Sequence, residues 1–139
     1  MKCETHVLQV RTAGRGLVDV TADVRRVVRG TAVRAGICTV FIRHTSASLV
    51  IQENADPAVL RDLDRWVTRL APEDSSAYEH DDEGPDDTPA HLRSAVTRTS
   101  ETMPIADAAL QLGTWQAIYV WEHRQEPHTR ELAVTVLGS

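Results

Sequence analysis

The stretch Trp115-Gln116-Ala117-Ile118-Tyr119-Val120-Trp121-Glu122-His123-Arg124 decides what kind of sheet this chain builds. Its residues alternate between two sets, and both sets contain large apolar side chains. The first set is Trp115, Ala117, Tyr119 and Trp121, and the second includes Ile118 and Val120. Because such a strand must be covered on both faces, the pattern predicts a central strand. Glu122 and Arg124, two residues apart at its end, are expected to enter one cavity, although they also fit a charge pair at a sheet edge.

Further strands and helices are predicted on either side of this stretch without strict alternation. Strands rich in β-branched residues are predicted at 6–10, 17–20, 37–43, 102–106 and 132–137. Helices are predicted over 22–29 with Thr21 as the cap, from Asp56-Pro57 to the residue before Pro72, and from Pro89 to about Thr97. Strand spacing near the C-terminal end is typical of hairpins. We therefore predict a single α+β domain over residues 1–139 with a mainly antiparallel sheet.

Composition and charge limit the partners of this domain. The chain has 139 residues, 42% of them hydrophobic and 25% charged, and its net charge of -5 argues against nucleic acid or an anionic membrane as the main partner. Neither a membrane-spanning run nor the apolar core of a signal peptide is found. Cys3 and Cys38 lie outside any C-x-x-C motif, so both are expected to be free thiols in the cytoplasm.

The most polar stretch runs from His80 to His91 and contains five carboxylates and two imidazoles in twelve residues. Thr88 and Pro89 are typical of a helix start, with Thr88 as the cap, so His91 would lie in the first turn. The helix dipole there disfavours imidazolium, and a neutral histidine beside carboxylates is suited to a divalent metal ion. A solvated acidic loop is the commoner explanation of such a charge run.

A second polar run, His44-Thr45-Ser46-Ala47-Ser48, follows the strand predicted at 37–43. His44 would emerge at the end of that strand, and the hydroxyl groups of Thr45 and Ser46 can hold an anion. By itself this run is more often a structural turn.

Six blocks of the chain together resemble the YjbQ-like family. They are His44–Leu49, Glu53–Pro57, His80–Pro85, Pro89–His91, Leu112–Gln116 and Glu122–Arg124, in the order that the family has them. The resemblance implies a compact α+β subunit that assembles as a homotrimer, and a secondary thiamine-phosphate synthase activity. The polar residues of the family pattern are all kept: His44, Asn54, Asp56, His80, Asp82, Glu83, His91, Thr114, Gln116, Glu122 and Arg124.

The resemblance favours a functional site over a solvated loop and suggests a role for each group. The metal ligands are expected to be His44, His80, His91 and Asp82, with Glu83 or Glu122 as the alternative carboxylate, holding zinc or magnesium. The three imidazoles are expected to converge. The catalytic residues are expected to be Glu83, Glu122 and Arg124. Substrate or phosphate is expected to contact Thr45, Ser46, Asn54, Thr114, Gln116 and Arg124. The pairs Asp81-Asp82 and Asp86-Asp87 offer carboxylate oxygens to magnesium as well.

The expected function is that of a small metal-dependent enzyme acting on a phosphorylated small molecule. A metal-dependent hydrolase and a non-catalytic trimeric ligand-binding protein are the alternatives. The chain departs from the family pattern at Arg98 and Ala108, where glycine is common, and at Glu101, where an apolar residue is usual. These positions concern the rim of the site and hence the choice of substrate.

Overall fold

Two antiparallel sheets share one core in this protein, whose structure is a computed structural model that describes residues 1–139 apart from the side chain of Ser75. The larger sheet contains, in spatial order, β1 (Lys2–Arg11), β8 (Thr129–Gly138), β3 (Gly36–Ile42), β5 (Ser100–Ala106) and β6 (Ala109–Leu110). The smaller sheet contains β2 (Gly16–Asp19), β7 (Gln116–Glu122) and β4 (Ala47–Glu53). All neighbouring strands run antiparallel.

Three α-helices complete the fold: α1 (Thr21–Thr31), α2 (Pro57–Leu70) and α3 (Asp87–Val96), with a short 3-10 helix at Ser75–Ala77. The prediction of an α+β domain with mainly antiparallel strands is therefore confirmed. The strand β4 was not predicted, because its first half is buried throughout and includes Ser48, so it lacks the alternation of apolar and polar residues. Within the described residues, no helix combines the length and the apolarity needed to cross a membrane.

Strand β7 occupies the middle of the smaller sheet, as its sequence predicts. Ile118 and Val120 belong to the core that the two sheets share with α1. Tyr119 and Trp121 project to the other face, where they form a second apolar cluster with α2. The expectation of a strand covered on both faces is thus confirmed, and α2 is the element that covers the outer face.

Two of the three predicted helix caps differ from the structure. Asp56 caps α2 as expected, since its Oδ1 accepts a hydrogen bond of 2.9 Å from the amide of Ala58. Thr21 does not cap α1, because its hydroxyl accepts a hydrogen bond of 2.9 Å from the amide of Ile118 and so fastens the helix to β7.

The start of α3 also differs from the prediction. The helix begins at Asp87, one residue before Thr88, and Thr88 donates its hydroxyl to the backbone oxygen of His80 instead of capping the helix. Pro89 is consequently the third residue of α3, where its missing N–H has no helical acceptor to lose. The Thr88 contact fixes His80 over the first turn of α3.

The three departures from the family pattern have physical explanations. Asp107 and Ala108 form the turn between β5 and β6 with φ angles of 50° and 63°, a left-handed conformation for which glycine is preferred. Arg98 and Glu101, the other two departures, form an ion pair with each other. A positive charge in place of glycine is therefore matched by a negative charge in place of an apolar residue.

Candidate functional site

The first turn of α3 brings together His80, Asp87 and His91, which we call the candidate metal centre. Asp87 and His91 are four residues apart and so lie on one face of the helix. The Nε2 atoms of His80 and His91 lie 2.8 and 3.1 Å from Oδ2 of Asp87. The three atoms that could serve as ligands are all within 4.8 Å of one another, a spacing that a single metal ion can bridge.

The carboxylate of the candidate metal centre is buried, whereas its two imidazoles are exposed to solvent. Asp87 is 2% exposed, whereas the side chains of His80 and His91 are 49% and 36% exposed. Burial by itself would raise the pKa of Asp87, but the hydrogen bond from His80 and the charges of His91 and Arg124 outweigh it and lower the pKa. Asp87 therefore remains a carboxylate, and a ligand can approach from the side of the imidazoles.

The outer ring nitrogen of each histidine faces an oxygen atom, through a hydrogen bond in His91 and at a longer distance in His80. Nδ1 of His91 donates to the backbone oxygen of Thr45 at 2.8 Å, so the proton that a metal ion would replace is the one between Nε2 and Asp87. Nδ1 of His80 lies 3.6 Å from Oδ1 of Asp82. Such outer partners orient the ligands of metal sites and increase their basicity, so this donor set fits a divalent metal ion.

Asp82 and His44 do not take the ligand positions expected of them. Asp82 lies beyond His80 as its outer carboxylate, and the ligand position is taken by Asp87. His44 accepts a hydrogen bond of 2.8 Å from the amide of Glu131 through Nε2. Because a ring nitrogen that accepts cannot carry a proton, neutral His44 holds its proton on Nδ1 and has no free lone pair for a metal.

His44 nevertheless lies beside the candidate metal centre. It lines a cavity of about 260 Å³ together with Thr45, His91, Ser94, Ala95 and Thr99. Burial and the charge of Arg130 lower the pKa of His44, which favours the neutral ring. The ring centroids of His80 and His91 lie 5.8 Å apart, and His44 lies on the wall of the cavity that His91 also lines.

Glu122 and Arg124 do not enter one cavity, so that prediction was wrong. Glu122 is fully buried, and its carboxylate accepts hydrogen bonds from the side chains of Thr12 and Arg130. We call Glu122, Arg130 and Thr12 the buried carboxylate cluster. The reason for the difference is that Arg124 lies beyond the end of β7, where the alternation of the strand no longer sets its direction. Only its backbone amide contacts Glu122, at 3.2 Å.

The side chain of Arg124 holds the two carboxylates at the start of α3. Nε donates to Oδ2 of Asp86 at 2.9 Å, and Nη1 donates to Oδ1 of Asp87 at 2.8 Å. Nη2 lies 3.3 Å from the backbone oxygen of Glu83. Arg124 thus fixes the oxygen of Asp87 that faces away from the histidines, and it leaves the other oxygen to the candidate metal centre.

The residues predicted to bind substrate fall into two groups. Thr45 is exposed at the cavity of His44, whereas Ser46 is buried and accepts a hydrogen bond of 3.0 Å from Arg130. A distant polar group comprises Asn54, Thr114 and Gln116, with Asn54 Nδ2 donating to the backbone oxygen of Thr114 at 3.1 Å. These residues lie at the opposite end of β4 and β7, about 20 Å from Glu122 along the strand.

Several residues that shape the site carry no functional signal in the sequence. Arg130 lies on a regular strand, and its partner Glu122 is on the other sheet. His123 is buried beside Trp121 and exchanges a hydrogen bond of 2.9 Å with Ser48. Burial and the charge of Arg93 lower its pKa to about 3, so it is neutral and structural. Asp87 was expected only as a possible magnesium ligand together with Asp86, and its four-residue spacing from His91 could have placed it beside the histidines.

Comparison with known proteins shows relatives along nearly the whole chain. The family model described as UPF0047 protein YjbQ-like matches residues 6–139. The UPF0047 protein sll1880 of Synechocystis is 53% identical over 132 residues, which is 95% of this chain and 90% of that protein. The UPF0047 protein YjbQ of Salmonella typhimurium is 40% identical over 125 residues, covering 89% and 90% of the two chains.

Solved structures support the same relationship. A conserved hypothetical protein of Thermus thermophilus is 32% identical and superposes with a TM-score of 0.85, covering 95% of this chain and 99% of that one. An uncharacterised YjbQ/UPF0047 protein of Clostridium acetobutylicum is 30% identical, with a TM-score of 0.86 and the same coverage.

Proposed function

We propose that this chain, which belongs to the YjbQ-like UPF0047 family, is a metal-dependent enzyme that acts on a phosphorylated small molecule. The observation that carries the proposal is the meeting of His80 Nε2, His91 Nε2 and Asp87 Oδ2 within 4.8 Å, beside an open cavity. Three protein ligands with room for a further one are typical of catalytic rather than structural metal sites.

The residues around the cavity support a reaction on a phosphate group. A divalent ion in the centre would supply Lewis acidity, which neutralises charge on phosphate oxygens. His44 Nδ1 and the hydroxyl of Thr45 would donate hydrogen bonds to an oxyanion in the cavity. Glu83 keeps an exposed side chain and stays the candidate base, whereas Glu122 is enclosed and Arg124 is engaged with Asp86 and Asp87.

The donor set gives the hydrolase alternative specific support. Two imidazoles and one carboxylate suit zinc or a similar transition metal better than magnesium, which prefers oxygen ligands and water. The expected secondary thiamine-phosphate synthase activity would instead depend on magnesium and a diphosphate leaving group. Metal preference therefore separates the two reactions.

We further propose that the enzyme is a homotrimer. The distant polar group at Asn54 and the candidate metal centre are both flanked by exposed apolar side chains, Trp115 beside the first and Leu92 and Val96 beside the second. Exposed apolar patches next to polar groups are typical of protein interfaces. A trimer would let the distant polar group of one subunit face the metal centre of the next. Sedimentation equilibrium should give about 46 kDa, three times the 15.4 kDa chain, and a monomer would contradict the assembly.

Metal titration tests the centre directly. Protein treated with EDTA and dialysed should bind one Zn²⁺ per chain by calorimetry, much more tightly than Mg²⁺. Asp87→Asn and His91→Ala should each weaken zinc binding at least about a hundredfold, because each removes a ligand. His6→Ala is the matched control, since His6 is an exposed histidine outside the centre. Zinc affinity that is the same in Asp87→Asn and in the unsubstituted protein would contradict the site.

Turnover is tested separately with p-nitrophenyl phosphate. Zinc-loaded protein should release p-nitrophenol, and His44→Phe should reduce the rate about tenfold or more while leaving zinc affinity unchanged. Zinc binding without turnover on this and other phosphate esters would favour the non-catalytic ligand-binding protein.

A further inference from the structure

A second cavity, of about 340 Å³, lies between β2 and the first half of α2. Its walls include Arg15, Leu17, Leu60, Arg61 and Arg65, none of which belongs to the candidate metal centre or to the cavity of His44. Its volume is in the range of small-molecule sites. We call it the β2–α2 cavity.

Positive charge dominates the walls of the β2–α2 cavity. Three arginines line the cavity, together with a single acidic residue, Asp64. Asp64 is already engaged, because Oδ2 accepts from Arg15 Nη2 at 3.0 Å and Oδ1 accepts from Trp121 Nε1 at 3.3 Å. Two arginines, Arg61 and Arg65, therefore remain without a carboxylate from the cavity wall.

These two arginines are available to a ligand. Arg65 contacts Asp62 at 3.3 Å, but both side chains are largely exposed, so water competes with that pair. Arg61 makes no ion pair with the residues that the structure describes. An anion in the cavity would meet at least one guanidinium group that has no other negative partner.

The guanidinium of Arg15, beside the cavity, is only partly matched by acceptors within the chain. Nη2 of Arg15 donates to Asp64 and Thr68, and Nη1 lies 3.8 Å from Oε1 of Glu73. Its Nε atom is buried and has no hydrogen-bond partner in the chain. A buried N–H of a charged group is costly when it lacks an acceptor, so a negative charge in the adjoining cavity would stabilise the guanidinium of Arg15 electrostatically.

We infer that the β2–α2 cavity binds a small organic anion. A carboxylate or phosphate oxygen would accept hydrogen bonds from Arg15 and Arg61, and the apolar part of the molecule would lie against Leu17 and Leu60. The site is separate from the metal-dependent reaction, so it binds its ligand whether or not the candidate metal centre is loaded.

Calorimetric titration with three probes tests this inference. Phenylphosphonate and benzoate carry the two anionic groups on the same ring, and benzyl alcohol is the uncharged analogue. At least one anion should bind more tightly than benzyl alcohol, and the better of the two identifies the preferred group. Equal binding of all three probes, or binding of none at millimolar concentration, would overturn the inference.

Matched variants locate the bound probe. Arg61→Gln should weaken binding of the better anion about tenfold or more, because a charge-assisted contact is lost. Arg69→Gln makes the same change on an exposed position of the same helix and should leave binding within twofold. His91→Ala should also leave it within twofold. Binding that is lost in His91→Ala and kept in Arg61→Gln would place the anion at the metal centre and overturn the inference.

Discussion

The buried carboxylate cluster and the candidate metal centre use similar groups in opposite ways. In each, a nearly inaccessible carboxylate is held by an arginine, Glu122 by Arg130 and Asp87 by Arg124. Glu122 receives donors on both oxygens from within the chain. Asp87 instead turns one oxygen towards two imidazoles that are open to solvent. A structural carboxylate and a candidate metal ligand therefore cannot be told apart by residue type. The identity and the exposure of the groups that contact the carboxylate distinguish them.

The largest expected effect comes from breaking the buried carboxylate cluster. Arg130→Met leaves the carboxylate of Glu122 buried without its cation and should lower the free energy of unfolding by about 3–5 kcal/mol. Urea denaturation measures this loss, and the double variant Glu122→Leu with Arg130→Met should recover much of it. Zinc affinity of the folded protein should change by less than about threefold. A loss of stability under about 1 kcal/mol would mean that the two regions do not differ as described.

Substitution of Arg124 should affect zinc binding at the candidate metal centre more than the stability of the fold. Arg124→Ala frees the outer oxygen of Asp87, so zinc affinity should fall about ten- to a hundredfold, as for other outer partners of metal ligands. Arg124→Lys should restore part of the affinity, since lysine lacks the planar arrangement of donors that reaches both aspartates. Calorimetry with zinc gives the result.

A different outcome would support the phosphate-binding role that the resemblance implies for Arg124. If the alanine variant binds zinc normally but loses affinity for a phosphorylated ligand relative to its unphosphorylated analogue, Arg124 contacts phosphate and does not position Asp87.

The stability of the fold should also depend on pH through the buried His123. Its pKa is about 3 in the folded protein and about 6.5 when unfolded, so the unfolded chain binds the proton more strongly. Stability is therefore lost as pH falls below 6.5, and the loss grows until about pH 3. Between pH 7 and 5 the loss due to His123 should be about 2 kcal/mol.

Denaturation of the unsubstituted protein and of His123→Gln at both pH values isolates this contribution. The variant should lose less stability on acidification, because the other ionisable groups are the same in both proteins. Parallel losses would show that His123 is not held neutral by its surroundings.

The smallest effect is expected for an exposed ion pair. Arg98→Ala removes the partner of Glu101, but the Arg98 side chain is 60% exposed, so the cost should be only about 0–1 kcal/mol. Thermal melts at low and high salt measure it, with Arg26→Ala as a control that breaks another exposed pair. A cost similar to that of Arg130→Met would show that burial does not govern the strength of these pairs.

Patterns confined to one element predicted most of the fold. The two apolar faces of β7 and the cap of α2 are local, so they could be identified from neighbouring residues. The buried carboxylate cluster could not, because Thr12 and Glu122 are separated by 110 positions and meet only after both sheets form. In the same way, the family resemblance implied one site for Asn54 and His91. Within one chain, the lengths of β4 and β7 keep the two residues apart.

The order of strands in the larger sheet also bears on how the protein is made. Strand β1 precedes the other strands in the sequence, yet its neighbour in the sheet is β8, where Lys2 pairs with Gly138. During translation the backbone groups of β1 that pair with β8 therefore stay unpaired until β8 has left the ribosome. Pairing over such sequence distances slows folding and prolongs exposure of strand edges. We expect β1 to be the segment most dependent on protection by chaperones while the chain is being synthesised.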